Sequence, residues 1–212
     1  MTQLPDPLSR RDRQQQTREA LIFAARRVFS EDGYHAASLE RIAREAGFSK
    51  GAVYSNFNGK SALFLAVMDQ NLELAETDLR SPFEQPRHPT STGRDLAARE
   101  GHPQSATQGF ALATLEFIAS AARDESLAPQ LHQRLTALLG HYEAIARDAR
   151  PNNEMLAVAD VGKLLAALDQ GAGLILLAGD TLPDADVFTT GMRRLVDPAR
   201  AVTEEDALSS PD

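Results

Sequence analysis

Apolar residues recur at helical spacing along most of this chain, and each segment with a clear apolar pattern reads as a helix. Leu21, Ile22, Ala25, Val28 and Phe29 make one face from about Asp12 to Asp32, and Gly33 is placed to stop that helix. Leu39, Ile42, Ala43 and Ala46 predict a short second helix behind Ser38, a good cap, with Glu40 suitably negative in its first turn. After Phe57 a longer helix is capped by Asn58 or Gly59 and carries Leu63, Phe64, Val67, Met68, Leu72 and Leu79 in a broad stripe towards Arg80. Residues 81–105 hold four prolines and two glycines, which predicts a loop or insertion in which His88 and His102 are exposed.

The pattern resumes at about Ala106, where Phe110, Leu112, Leu115, Phe117 and Ile118 exceed what one face can hold and place the helix inside a bundle. Another helix is expected from about Ser126 to Arg147, with a break near Pro129 or Gly140, and Pro151-Asn152-Asn153 marks a turn. The most apolar segment, about Glu154 to Ala178, carries Val161, Leu164, Leu165, Leu168, Ala172, Ile175 and Leu176. Gly171 and Gly173 interrupt it; a glycine costs about 1 kcal/mol in a helix interior, so the pair suggests a neighbouring backbone or ligand close by. A turn at residues 181–184 leads to a last helix with Val187, Phe188, Met192, Leu195 and Val196 on one face, and the remainder to Asp212 looks frayed and acidic.

Within this all-helical plan the stretch from Ser38 to Phe57 has the tightest steric logic. Gly47 can take the left-handed conformation that ends one helix, Ser49 can cap the next, Ala43 is small where that helix crosses, and Val53 fills the wedge between them. Two short helices meeting at such a turn form a helix-turn-helix.

Composition narrows the chemistry. The 212 residues suffice for one large or two small domains, and the absence of cysteine excludes disulfides and thiolate metal sites. Neither a membrane span nor a signal-peptide core is visible, which leads one to expect a soluble cytoplasmic protein. The net charge of −8 is unevenly spread: residues 1–60 carry ten Lys/Arg against seven Asp/Glu, and residues 61–212 twelve against twenty-three. The basic end coincides with the helix-turn-helix, and an acidic body would help orient it towards a polyanion. Residues 1–12 are expected as a mobile arm ending in Arg10, Arg11 and Arg13, either laid on phosphates or simply solvated.

The block from Ala24 to Phe64, AARRVFSEDGYHAASLERIAREAGFSKGAVYSNFNGKSALF, resembles the TetR family of bacterial transcriptional regulators. Its Gly-Tyr after the first helix, Ile-Ala, Ala-Gly-Phe-Ser, Gly-Ala-Val-Tyr and Phe-x-x-Lys all follow that pattern, and the match is densest from Ala20 to Val67. One departure is Tyr54-Ser55-Asn56-Phe57, where many members have Tyr-Tyr-His-Phe; Ser55 and Asn56 can still donate to phosphate or base edges.

The resemblance implies an N-terminal arm and three-helix DNA-binding head over 1–58, followed over 59–212 by a linking helix and a helical bundle for ligand binding and dimerisation. The helix from Ser49 to Asn56 would enter the major groove of double-stranded DNA. Lys50 is then the chief candidate contact, beside the nearly bare Gly51 and Ala52, and Ala52 could pack on a thymine methyl. Tyr54 and Lys60 resemble the family's phosphate clamps, and Ser38 and Arg41 would grip the other strand. A homodimer is implied through the last two helices, with Leu164, Gly171, Ile175, Phe188, Met192 and Leu195 as its candidate surface; Gly173 and Gly191 would suit close packing there. The alternative is that these stripes are intramolecular core. A small-molecule effector would lie among Phe110, Thr114, Phe117, Leu135, Tyr142 and Leu168, with His132 and Asp169 as polar anchors, and the implied outcome is repression relieved by ligand.

No catalytic motif, glycine-rich phosphate loop or histidine pairing supports an enzyme, and no cofactor or metal is expected. The closer rival is a DNA-associated architectural or partner-binding factor that takes no small molecule.

Overall fold

A computed structural model describes residues 9–78, 103–151, 155–179 and 185–198. Among the described residues there are eight helices and no strand: α1 (Arg10–Ala36), α2 (Leu39–Glu45), α3 (Lys50–Asn56), α4 (Lys60–Asp78), α5 (Pro103–Ala121), α6 (Ala128–Ala149), α7 (Val158–Gly179) and α8 (Ala185–Val196). The fold is all-α, a helix-turn-helix head followed by a helical body. No helix among the described residues is long and apolar enough to cross a membrane.

Several boundaries differ from the sequence expectation for local reasons. α1 starts at Arg10 because Ser9 and Asp12 form a reciprocal capping box: the Asp12 amide donates to Ser9 Oγ at 3.2 Å, and the Ser9 amide to Asp12 Oδ2 at 3.1 Å. Arg10, Arg11 and Arg13 therefore belong to a helix and not to an arm, whose residues 1–8 lie outside the described residues. Gly33 does interrupt α1, with φ 77°, though helical structure resumes for three more residues. Pro103, Gln104 and Ser105 open α5, while the rest of the expected loop, from 81 to 102, lies outside the described residues. α6 runs unbroken: Pro129 falls in its first turn, where a missing N–H costs nothing, and Gly140 is simply accommodated. The expected turns at 152–153 and 181–184, and the segment from 199 onwards, lie outside the described residues.

Two apolar cores organise the body of the molecule. The first joins Leu21, Val28 and Phe29 of α1, Ile42 of α2, Val53 of α3 and Leu63, Phe64 and Val67 of α4 to Ala113, Phe117 and Ala121 of α5. Its centre is aromatic: Phe117 packs on Phe64 with ring centroids 4.7 Å apart and meets Tyr34 edge-on at 5.0 Å. Full burial of a side chain such as Phe117 contributes about 1.5–3 kcal/mol, so α5 is fastened to the head and not merely adjacent to it. The second core holds Tyr142 and Ala146 of α6, Val161, Leu165 and Ala166 of α7, and Val196 of α8.

Glycine allows the closest helix crossings, at positions the sequence pattern did not single out. A side chain at Gly109 of α5 would collide with the Ser30 carbonyl of α1, and one at Gly162 of α7 would come within 2.7 Å of the Glu143 backbone of α6. Gly171 and Gly191, by contrast, have nothing within 4 Å of where a Cβ would stand, and the surroundings of Gly173 lie outside the described residues.

Candidate nucleic-acid interface

The head presents α3 through a tightly capped turn. Ser38 Oγ accepts from the Arg41 amide at 3.2 Å and starts α2; Ala46 closes it; Gly47, at φ 75°, reverses the chain; and Ser49 Oγ accepts from the Ala52 amide at 3.3 Å to start α3. Ala43 and Val53 are buried between the two helices, so the wedge expected from the sequence is in place. Phe57 is also buried and closes the far end.

What remains outside is the face expected to meet DNA. Ser49, Lys50, Gly51, Tyr54 and Ser55 are exposed, Ala52 and Asn56 half-buried. Tyr54 keeps 57% of its surface accessible, unusual for a tyrosine with core to pack on, and its ring lies 5.9 Å from the Lys50 ammonium. Ser55 Oγ and Asn56 Nδ2 both donate to the Ala52 carbonyl, at 3.0 and 2.8 Å, which ties the departing residues of the Tyr-Ser-Asn-Phe segment to their own helix.

The basic groups on this face are paired with carboxylates of the head. Lys50 bridges to Glu40 across the turn, and Arg41 bridges to both Asp32 and Glu31 at the end of α1. The hydrogen bond from Lys50 holds the Glu40 carboxyl below its usual range and, reciprocally, raises Lys50; Asp32 does the same for Arg41. The Lys50–Glu40 pair is exposed and contributes little to stability, whereas Arg41 and Asp32 are half-buried.

Lys60 stands differently. Its ammonium donates to the His35 carbonyl at 2.8 Å and the Ala37 carbonyl at 3.1 Å, and lies 4.9 Å from the Tyr34 ring centroid. Burial lowers its pKa, with the Glu116 carboxylate opposing. Two of three ammonium protons are thus spent on the turn before α2, leaving one for an incoming phosphate.

Sequence reasoning missed Arg18 and the pairing of Glu40 with Lys50. Arg18 of α1 donates to the Asn56 carbonyl at 3.0 Å and covers the Phe57 ring at 4.3 Å, placing a cation at the C-terminal end of α3. Nothing in the periodicity distinguishes it from a solvated arginine, because the contact spans 38 positions.

The structure places the candidate effector residues in different surroundings. Phe110 and Phe117 belong to the aromatic centre of the first core, and the Thr114 hydroxyl is bonded back to the Phe110 carbonyl at 2.9 Å. His132, Leu135 and Leu168 are exposed. Tyr142 and Asp169 do come together: the tyrosine hydroxyl donates to Asp169 Oδ2, and burial raises the pKa of both. A groove of about 530 Å3 lies elsewhere, on the head between α1, α2 and α4, with Phe23 in it and the Arg27–Glu45 ion pair at its edge. Of the candidate dimer residues, Leu164 and Ile175 are exposed on α7 and Phe188 is half-buried, while Met192 and Leu195 pack against the second core.

Residues 21–67 match the family model for bacterial regulatory proteins of the tetR family. The Escherichia coli (strain K12) HTH-type transcriptional regulator UidR is 27% identical over 187 residues, 86% of this chain and 92% of UidR. Among solved structures, Bacillus subtilis FadR in complex with stearoyl-CoA superposes with a TM-score of 0.59 at 16% identity over 84% of this chain and 96% of that one. NalD of Pseudomonas aeruginosa, the secondary repressor of the MexAB-OprM multidrug efflux pump, gives 0.52 at 23% identity over 86% and 96%.

Proposed function

We propose that this chain, which belongs to the TetR family of bacterial transcriptional regulators, is a repressor that binds an inverted-repeat operator as a homodimer and is released by a small apolar or amphipathic molecule. That it is a DNA-binding transcriptional regulator follows from the family. The exposed Lys50–Tyr54 face, presented on a helix capped at both ends, carries the rest of the reading. Lys50 and the nearly bare Gly51 and Ala52 would meet base edges, Tyr54 the adjoining phosphates together with Ser55 and Asn56 once these release the Ala52 carbonyl, and Ser38, Ser49, Arg41 and the remaining proton of Lys60 the flanking backbone. Residues 1–58 would act as the head and 59–212 as the part that senses and dimerises. A repressor reading accords with NalD, and an amphipathic effector with the stearoyl-CoA held by FadR.

Selection from a random duplex pool at two salt concentrations tests this directly. The expected result is an enriched inverted repeat with half-sites about one helical turn, 34–36 Å, apart. Lys50→Ala should then weaken binding by about 1–3 kcal/mol and relax the preference at one half-site position. Binding that depends on salt but enriches no sequence would overturn the operator-specific reading and favour an architectural or partner-binding factor.

A further inference from the structure

The turn that precedes α2 and α3 is gripped from both sides, by α5 and by α4. On one side, Glu116 of α5 accepts a hydrogen bond from the His35 backbone amide at 3.0 Å. Its carboxylate fills the space a side chain at position 33 would need, with Oε1 2.8 Å and Oε2 3.1 Å from an ideal Gly33 Cβ. Ser120, one turn further along α5, meets His35 Nε2 at 3.2 Å and donates its own proton to the Glu116 carbonyl at 3.0 Å. The serine has a single proton, so in this arrangement the histidine is the donor, through Nε2–H. On the other side, Lys60 of α4 takes the His35 carbonyl, and Tyr34 Oη pairs with Ser61 Oγ at 2.9 Å.

A single residue, His35, therefore gives its N–H to the body helix α5 and its C=O to the linking helix α4. Three positions later Ser38 caps α2. We infer that Glu116 is a positioning residue for operator binding: its carboxylate ties the orientation of α2 and α3 to the placement of α5. The inference rests on the operator-binding reading above. A charge-assisted bond to a backbone amide tolerates little stretching, so a displacement of α5 larger than the glutamate side chain can absorb breaks the bond or drags the turn with it. Gly33 is what admits the carboxylate, since φ 77° already disfavours a side chain there and the oxygens occupy its place.

The test compares Glu116→Ala with Glu116→Gln, whose amide oxygen can still accept from His35. Without DNA, backbone amide spectra of the full chain should show the His35 resonance displaced in Glu116→Ala together with those of α2 and α3, and all of them kept near their native positions in Glu116→Gln. With the selected duplex, Glu116→Ala should bind roughly tenfold more weakly at an unchanged salt slope, since no phosphate contact is removed. It should also lose discrimination against duplexes whose half-sites are moved one base pair apart, and Glu116→Gln should recover both to within about twofold. Displacement of His35 alone, with α2 and α3 unmoved, overturns the inference, as does native affinity and native spacing preference in Glu116→Ala. If no duplex is enriched by the unmodified chain, the operator reading fails, and the amide spectra still decide whether Glu116 positions the head.

Discussion

Gly162 and Gly140 are both glycines inside helices, yet their surroundings give opposite expectations. At Gly162 an added Cβ meets the Glu143 Cα and backbone nitrogen at 2.7 Å and the Tyr142 carbonyl carbon at 3.1 Å, atoms of a packed helix that cannot swing aside. Gly162→Ala should therefore destabilise the chain by about 1–3 kcal/mol, the range for forcing extra volume into a packed contact. Gly140 has nothing within 4 Å, so Gly140→Ala should gain up to about 1 kcal/mol from helix propensity alone. Thermal melts of the two variants check this, and a neutral Gly162→Ala would show that α6 and α7 can part without cost. The same comparison marks what sequence can and cannot tell. Gly47 announces its positive φ because it falls between two capped helices, whereas Gly162 looks no different from Gly171 until the partner helix is known.

At the scale of elements, the helices of the head were legible because their signals are local: Ser38 and Ser49 cap within three residues, and Gly47 reverses the chain between them. The start of α1 is also written locally, in Ser9 and Asp12, but a capping box beside prolines and a run of arginines has no apolar residue to mark it as helical. Which residues of the body share a cavity was not legible, since an apolar stripe states that a helix is buried without naming what lies opposite. Leu135 and Leu168 face outward although their stripes suggested a lining, while Tyr142 and Asp169, 27 positions apart, face each other. That pair should make the contact between α6 and α7 sensitive to pH. Asp169 has its carboxyl pKa raised by burial above the ordinary 3.8, so the fold favours its neutral form. Its stabilising effect is complete below the unfolded value and is lost as pH rises through the folded one. Asp169→Asn keeps an oxygen for the Tyr142 hydroxyl and has no charge to bury. Its melting temperature should match the parent near pH 3.8 and exceed it at neutral pH; parallel melting curves from pH 4 to 8 would remove Asp169 as the cause.

For the whole molecule, the second core leaves α7 with two apolar faces where one would suffice. Val161, Leu165 and Ala172 point inward, at spacings of four and seven. Leu164, Leu168 and Ile175 repeat that spacing on the neighbouring face and stay 44–45% exposed. Exposed leucines scattered singly mean little, but a stripe that runs along a helix offers a face on which a second apolar surface can pack. If the chain pairs on an inverted repeat as proposed above, two heads must sit about 34–36 Å apart, and a second copy is the occupant that requirement favours. Leu164→Glu with Ile175→Glu would bury two carboxylates per subunit in such an interface, at several kcal/mol, yet cost the subunit's own core little because both positions already face water. Sedimentation should then show a monomer with a native helical spectrum, whose affinity for the inverted repeat falls to that for an isolated half-site. A variant that still sediments as a dimer would move the interface away from this face of α7 and leave the stripe to some other partner.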